Sequence, residues 1–359
     1  MRRRIWSGVA ASAAVPALAV PALLALAVPA VATPSFTFAR LAGTDRNDTA
    51  RVVAEQSFQP AVATVVIARG DDFPDALAGT YVASSGSPIL LTLPGSLPTP
   101  TRKAIHDLGA THAILIGGTG SIGTSVEDQL HSMSVSTERL AGIDRYDTAK
   151  QCAEYYSAST IGTANGKRAA IVASGQNYPD ALAGGPLAYG AGFPIVLVQQ
   201  HALPDPSRIA LTDMGIQEVL LLGGTNAVGD DVQSTLTGMG MVVMRIAGGD
   251  RTETATKIAD YELDPNSKLA VDNRALTFDG AHVNLARGDD YPDALAGGPH
   301  AGEELSPVLL TSSSTVLGPM TRAWLTMHSG TLLDGHLFGG TSAISTTVQS
   351  DATAAARGG

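Results

Sequence analysis

The sequence predicts an α/β protein made of three tandem domains, each a small parallel sheet with helices on both faces. Three observations carry this. Four short motifs recur three times, in the same order, along the 359-residue chain. Between them run continuous apolar, β-branched stretches such as TVVIA at residues 64–68, the pattern of strands buried on both faces. The strands alternate with helix-length segments opened by Asp or Asn, as in α/β units.

Residues 1–32 read as a signal peptide. Arg2, Arg3 and Arg4 form a positive start, an apolar run follows over residues 9–31, and Ala30-Val31-Ala32 is a small-residue cleavage signature. Cleavage is expected after Ala32. Pro16, Pro21 and Pro29 argue against a membrane-spanning helix there. The protein is therefore expected to be secreted. No second long apolar segment follows, so no membrane contact is expected once the leader is removed.

The repeats divide the remainder into residues 36–135, 136–241 and 242–355. RLAGTDR begins at Arg40, RLAGIDR at Arg139 and RIAGGDR at Arg245. PDALAG begins at Pro74, Pro179 and Pro292. PTRKAI, PSRIAL and MTRAWL place Arg102, Arg208 and Arg322 alike, and GGT begins at Gly117, Gly223 and Gly339. These periods are domain-sized, far longer than solenoid repeats. In the first copy the expected strands are 64–68, 89–92 and 113–116, with a weaker fourth near 133–136 leading into the next RLAG. The expected helices are 45–56, 72–83, 99–108 and 121–130.

Composition narrows the function. Apolar residues make up 44% and aromatics 5%, so the cores must be built from Ala, Val, Leu and Ile. A net charge of −10 argues against nucleic acid as a partner, since such binders present a basic face. The single cysteine, Cys152, excludes an intramolecular disulfide. Its helical surroundings, TAKQCAEYY, point to a buried, inert thiol.

The PDALAG turn follows a strand and starts a helix. Asp72, Asn177 and Asp290 are expected N-caps, and Asp75, Asp180 and Asp293 stand three positions later, as in a capping box. Pro74, Pro179 and Pro292 fit a first helical turn. Helix-start chemistry thus accounts for much of the motif. A metal at the turn is disfavoured because the second copy has Gln176 and Asn177 where the first has Asp71 and Asp72.

The RLAG element asks for more. Asp45, Asp144 and Asp250 are expected N-caps, with Asp48, Asp147 and Glu253 three positions on. Arg46, Arg145 and Arg251 then stand at the first helical position, where a cation opposes the helix dipole at a cost of about 0.3–1 kcal/mol. A partner is implied, either a carboxylate of the PDALAG turn or an external anion. Arg40, Arg139 and Arg245 recur in the same way, as do Arg102, Arg208 and Arg322. Guanidinium forks match phosphate or carboxylate bidentately. The GGT elements, Gly117-Gly118-Thr119, Gly223-Gly224-Thr225 and Gly339-Gly340-Thr341, fall at strand ends before helices. They serve either as tight turns needing positive φ or as anion sites made of backbone N–H groups.

Gly118-Thr119-Gly120-Ser121-Ile122-Gly123 satisfies G-x-G-x-x-G, with Glu138 beyond it. Asn226 in the second copy, and Ser342 and Ser345 in the third, break the pattern. No cofactor is expected. The eight histidines do not recur, no H-E-x-x-H or G-x-S-x-G occurs, and neither a metal nor a catalytic residue is expected.

RLAGTDR, a strand ending in GDDFPDALAG, PILLT and ILIGGTGSI, in this order, closely resemble the cell-wall-binding repeat 2 family over residues 40–348. The resemblance implies Rossmann-like or Toprim-like units in a pseudo-threefold arrangement. It also implies non-covalent attachment to Gram-positive walls through an anionic secondary polymer, teichoic-like or an acidic glycan. The strand that the family associates with attachment reads Ile89-Leu90-Leu91 here, then Ile195-Val196-Leu197 and Val308-Leu309-Leu310; these residues are expected to act by holding the strand in the core. Such triplets often accompany an enzymatic domain, amidases included, and the chain has no room for one. A non-catalytic wall-binding surface protein is therefore expected, with the arginines and the GGT turns as polymer contacts. Two alternatives remain. One is a secreted metal-dependent enzyme using Asp71, Asp72 and Asp75, or Asp289, Asp290 and Asp293. The other is an adhesion or assembly scaffold meeting a surface-protein partner at the insert of residues 261–280.

Overall fold

Each sheet is completed by a strand from the next copy of the repeat. The computed structural model describes residues 36–177 and 179–359; the expected leader, residues 1–32, lies outside them. The first elements are β1 (Thr37–Leu41), α1 (Arg46–Ser57), β2 (Thr64–Arg69), α2 (Pro74–Val82), β3 (Ile89–Thr92), α3 (Thr99–Leu108), β4 (His112–Ile116), α4 (Thr124–Ser132) and β5 (Ser136–Leu140). The second set is α5 (Arg145–Ala153), β6 (Thr163–Ala164), β7 (Lys167–Ser174), α6 (Pro179–Leu182), α7 (Gly185–Gly190), β8 (Ile195–Val198), α8 (Asp205–Asp213), β9 (Glu218–Leu222), α9 (Asp230–Gly238) and β10 (Val242–Ile246). The third is α10 (Arg251–Leu263), β11 (Ala270–Val271), β12 (Arg274–Ala275), β13 (His282–Arg287), α11 (Pro292–Glu303), β14 (Val308–Thr311), α12 (Pro319–His328), β15 (Asp334–Phe338) and α13 (Thr346–Ala356).

The parallel strands run in the order β3-β2-β4-β5 in the first sheet, β8-β7-β9-β10 in the second and β14-β13-β15-β1 in the third. The last of these closes the molecule on itself, with Arg40 in register with Leu337. The expected strand at 133–136 is thus displaced: the RL of RLAG is itself the strand, and Ser134, at φ 63°, turns into it. Its edge position explains why the signal was weak, because its side chains alternate between exposed and half-buried.

Each helix after RLAG crosses a lobe junction. Helix α1 packs on β3 and α3 of its own copy and on α11 of the third. The PDALAG helices α2, α7 and α11 converge, and their equivalent residues Thr80, Gly185 and Gly298 meet. A Cβ on Gly185 would lie 3.0 Å from the Gly298 Cα, and one on Gly298 would lie 3.5 Å from Thr80 Cγ2. This is the pseudo-threefold axis, and only small residues allow three helices to approach it. One apolar cluster runs through all three copies, taking in Leu77, Leu187 and Leu295. Separate clusters around Leu211 and Leu236, and around Trp324 and Leu325, cover the outer faces of the second and third sheets.

Cys152 is fully buried, and burial pushes its thiol far up from the ordinary range, as an inert thiol requires. The insert of the third copy continues α10, then forms the β11–β12 hairpin, which reaches back to pair Ala270 with Thr163 of β6. Among the described residues, no helix is long and apolar enough to cross a membrane.

Candidate functional site

The repeated motifs come together at the junctions between lobes, beyond the carboxyl ends of the parallel strands. The first glycine of each GGT turn has positive φ: 111° at Gly117, 100° at Gly223 and 105° at Gly339. A side chain there would also collide with the carboxylate of Asp75, Asp180 or Asp293, respectively. The second glycines and Thr119, Thr225 and Thr341 form a more open rim, with the threonines exposed.

The three PDALAG aspartates are largely enclosed. Ser121 Oγ donates to Asp75 Oδ2 at 3.0 Å. Asp180 and Asp293 instead lie beside the hydroxyls of Thr254 and Thr49, each from the following copy. Burial pushes the carboxyls of Asp75 and Asp180 upward, and that of Asp293 up to about 6, helped by the charge of Asp290.

The expected caps at Asp72 and Asp290 are not formed. The cap positions fall on Phe73 and Tyr291, one residue later, directly before Pro74 and Pro292. From their earlier place, Asp72 and Asp290 accept from the N–H groups of Phe73 and Tyr291 at 3.0 Å each. Asn177 donates its own backbone N–H to Ser174 Oγ at 3.2 Å. Asp71 and Asp289 are held by the guanidiniums of Arg69 and Arg287.

The RLAG helices are capped as expected. Asp45 accepts from the N–H groups of Asn47 and Asp48 at 2.9 Å each, and Asp144 and Asp250 repeat the arrangement. Asp48, Asp147 and Glu253 reach back to the N–H groups of Thr44, Ile143 and Gly249.

Within the molecule, the partner of the next arginine is a backbone carbonyl and not the expected carboxylate of the PDALAG turn. Arg46 Nη1 donates to the carbonyl of Gly70 at 2.8 Å, Arg145 to Gly175 at 2.6 Å and Arg251 to Gly288 at 2.6 Å. Each bond ties the helix start to the GDD or GQN loop of its own copy. The other side of the guanidinium meets an aromatic of the preceding copy: Arg145 lies 5.9 Å from the Phe73 ring centre, and Arg46 bonds the Tyr291 hydroxyl. Arg46, Arg145 and Arg251 form no carboxylate ion pair within 4.0 Å among the described residues, and all three stay half-buried.

The other two arginine sets have intramolecular roles. Arg40, Arg139 and Arg245 donate to the carbonyls of Gly339, Gly117 and Gly223, at 2.7, 2.6 and 2.9 Å. They also grip Gln349, Glu127 and Gln233 on the following helices. Arg102 bonds the Leu97 carbonyl and Gln129, while Arg208 and Arg322 are exposed and pair with Asp205 and Asp351.

At the junction of the third and first copies these parts enclose a polar crevice of about 170 Å³, lined by Thr44, Asp45, Arg46, Arg287, Asp290 and Asp293 among others. Its charge is mixed. It offers guanidinium donors to an anion and carboxylates to hydroxyl groups, a combination suited to an acidic sugar. Among the described residues the group able to hold a metal together is His300, Glu304 and His336, at the opposite end of α11 from Asp293. Asp71, Asp72 and Asp75 do not form such a group, and neither do Asp289, Asp290 and Asp293.

A family model described as "Cell wall binding domain 2 (CWB2)" matches residues 40–127, 139–233 and 245–349. Two similar curated proteins come from Bacillus subtilis (strain 168). The N-acetylmuramoyl-L-alanine amidase LytC is 26% identical over 86% of this chain and 56% of its own length. The amidase enhancer is 29% identical over 86% of this chain and 39% of its own. The chain thus spans about half the length of these relatives. Two solved structures share the fold: Cwp8 from Clostridium difficile, with a TM-score of 0.75, 22% identity, and coverage of 90% of this chain and 52% of that one; and Cwp6 from the same organism, with 0.72, 22%, 89% and 48%.

Proposed function

Since the chain belongs to the cell wall binding domain 2 family, we propose that it is a secreted, non-catalytic surface protein that attaches to the Gram-positive cell wall by binding an anionic polymer non-covalently. The observation that carries this reading is the threefold placement of Arg46, Arg145 and Arg251. Each is half-buried at a lobe junction, bonded to a loop carbonyl and, among the described residues, without a carboxylate ion pair within 4.0 Å. A guanidinium held in this way keeps donors for phosphate or carboxylate without the entropy cost of ordering a loose side chain. The threonine rims of the GGT turns and the crevice carboxylates supply contacts to sugar hydroxyls. With a net charge of −10 the protein does not attract a polyanion at long range, so recognition rests on these short-range contacts.

Three similar sites on one axis suit a repeating polymer. Weak binding at each is multiplied when one strand engages several, with gains of about 10²–10⁴ over a single site. Relatives named as an amidase and an amidase enhancer fit a shared attachment module joined elsewhere to other functions. The deciding experiment is retention on purified walls before and after extraction of the secondary polymer. Binding is expected to disappear with the polymer, and equal retention on stripped walls would refute the reading.

A further inference from the structure

We propose that His300, Glu304 and His336, all of the third lobe, form a site for one divalent transition-metal ion of the zinc type. His300 Nε2 lies 3.0 Å from His336 Nδ1 and 3.3 Å from Glu304 Oε2, and the third edge, His336 Nδ1 to Glu304 Oε2, is 3.8 Å. A tetrahedral ion with bonds of about 2.0–2.1 Å separates its ligand atoms by about 3.3 Å. The three atoms therefore stand close to the spacing of three corners of such a site before any ion arrives.

The protonation of His300 is set from the far side of its ring. Ser57 Oγ gives its hydrogen to the Val53 carbonyl at 2.7 Å, so its lone pair is what faces His300 Nδ1, also at 2.7 Å. With that hydroxyl turned to Val53, Nδ1 donates to Ser57 in the tautomer that leaves the Nε2 lone pair directed at Glu304 and His336. Fixing the tautomer through an outer hydrogen bond is how proteins orient a histidine for a metal.

The other copies show that the fold does not need these groups. Counting from PDALAG, His300 takes the place of Val82 and Leu187. Counting back from GGT, His336 takes the place of Ile114 and Leu220. All four apolar residues are buried. Glu304 likewise stands where the others have Gly86 and Ala191. Setting two imidazoles where a sheet and helix otherwise close with aliphatic side chains is unfavourable unless something engages their nitrogens. Access is open: His300 is only 2% exposed, but His336 and Glu304 line a groove of about 580 Å³, from which water can fill the fourth position.

The test uses the full chain stripped with EDTA and titrated calorimetrically with Zn²⁺, then with Co²⁺ followed by visible absorption. One ion per chain, a tetrahedral Co²⁺ spectrum and a rise in Tm with Zn²⁺ are expected. Glu304→Gln changes a surface residue, and His336→Leu restores what the second copy carries; each should weaken Zn²⁺ binding at least tenfold. Ser57→Ala, which removes the outer hydrogen bond, should weaken it by about 10–100-fold. His282→Ala, in the same groove, should leave binding unchanged. The proposal is overturned by the absence of stoichiometric binding, or by binding that survives both ligand substitutions. Loss of binding in His282→Ala also overturns it, by placing the ion on His282, Asp334 and Asp279 instead. Wall retention is not the readout, so either outcome leaves the wall-binding reading to its own test.

Discussion

Arg40 donates Nη1 to the carbonyl oxygen of Gly339 at 2.7 Å, across 299 positions of chain. Arg139 and Arg245 make the same bond to Gly117 and Gly223 over only 22 positions. The three are equivalent in chemistry, but only Arg40 ties the start of the ring to its end, beside the β1–β15 pairing. Arg40→Ala should lower the unfolding free energy by about 1.5–3 kcal/mol, the usual worth of a charged hydrogen bond. Hydrogen exchange should rise first in β1 and β15. Urea denaturation with a loss below about 0.5 kcal/mol would show that the ring closes without this staple.

The arginines at the junctions should act together. Any one of Arg46→Gln, Arg145→Gln or Arg251→Gln keeps a donor for the loop carbonyl but removes the charge. A single substitution should reduce retention on purified walls several-fold, and the triple variant by about 10²-fold or more, as expected when linked sites are lost. Circular dichroism should be unchanged. If the triple variant is retained like the parent, the contacts lie elsewhere, with the exposed Arg208 and Arg322 next to be tested.

Stability should rise on mild acidification. Asp293 titrates at about 6 in the folded protein, against about 3.9 in an unfolded chain. Between those values the native state holds a proton that the unfolded state has lost, so stability falls as pH rises through this window, by up to about 2–3 kcal/mol. Asp75 and Asp180 shift in the same direction, as does Glu262, whose buried carboxylate has no hydrogen-bond partner among the described residues. The opposite group is Asp71 and Asp289, held down by Arg69 and Arg287. Their contribution is present above an ordinary carboxylate pKa and is lost as pH falls further. The optimum should therefore lie near pH 5. Asp293→Asn should stabilise the protein at pH 7 and flatten, without abolishing, the slope from pH 4.5 to 7. A parent protein most stable at pH 7.5 would contradict the assignment.

The chain revealed its lobes through repetition, because motifs with the same neighbours in three places can be aligned against one another. The caps at Asp45, Asp144 and Asp250 were legible because one local rule, a side chain bonding two N–H groups ahead, fully describes them. Asp72 and Asp290 obeyed the same spacing, yet the proline that follows shifts the helix start by a residue. The ring closure was not legible, since β1 pairs with a strand almost 300 residues away and no local pattern records such a partner. The carbonyl partners of Arg46, Arg145 and Arg251 escaped for a related reason: a sequence displays charges, not the direction of a peptide carbonyl. His300 and His336 did leave a signal, polar residues at positions that the other two copies fill with Val, Leu or Ile. It can be read only by comparing the copies position by position.

The Ile89-Leu90-Leu91 strand separates structural from direct roles in attachment. All three residues are at most 1% exposed and lie in β3, at the edge of its sheet, where α1 covers the strand from the neighbouring junction. A polymer cannot reach these side chains, but their packing sets where α1, and hence Arg46, stands. Leu90→Ala should cost about 2–5 kcal/mol through lost burial and a residual cavity. Leu90→Met, which roughly conserves volume, should cost less than about 1.5 kcal/mol. Wall retention should follow stability, reduced in the alanine variant near its melting range and preserved in the methionine variant. An alanine variant that stays fully folded at the assay temperature but no longer binds would instead assign the strand a direct contact, and would require the edge of the sheet to open when the polymer binds.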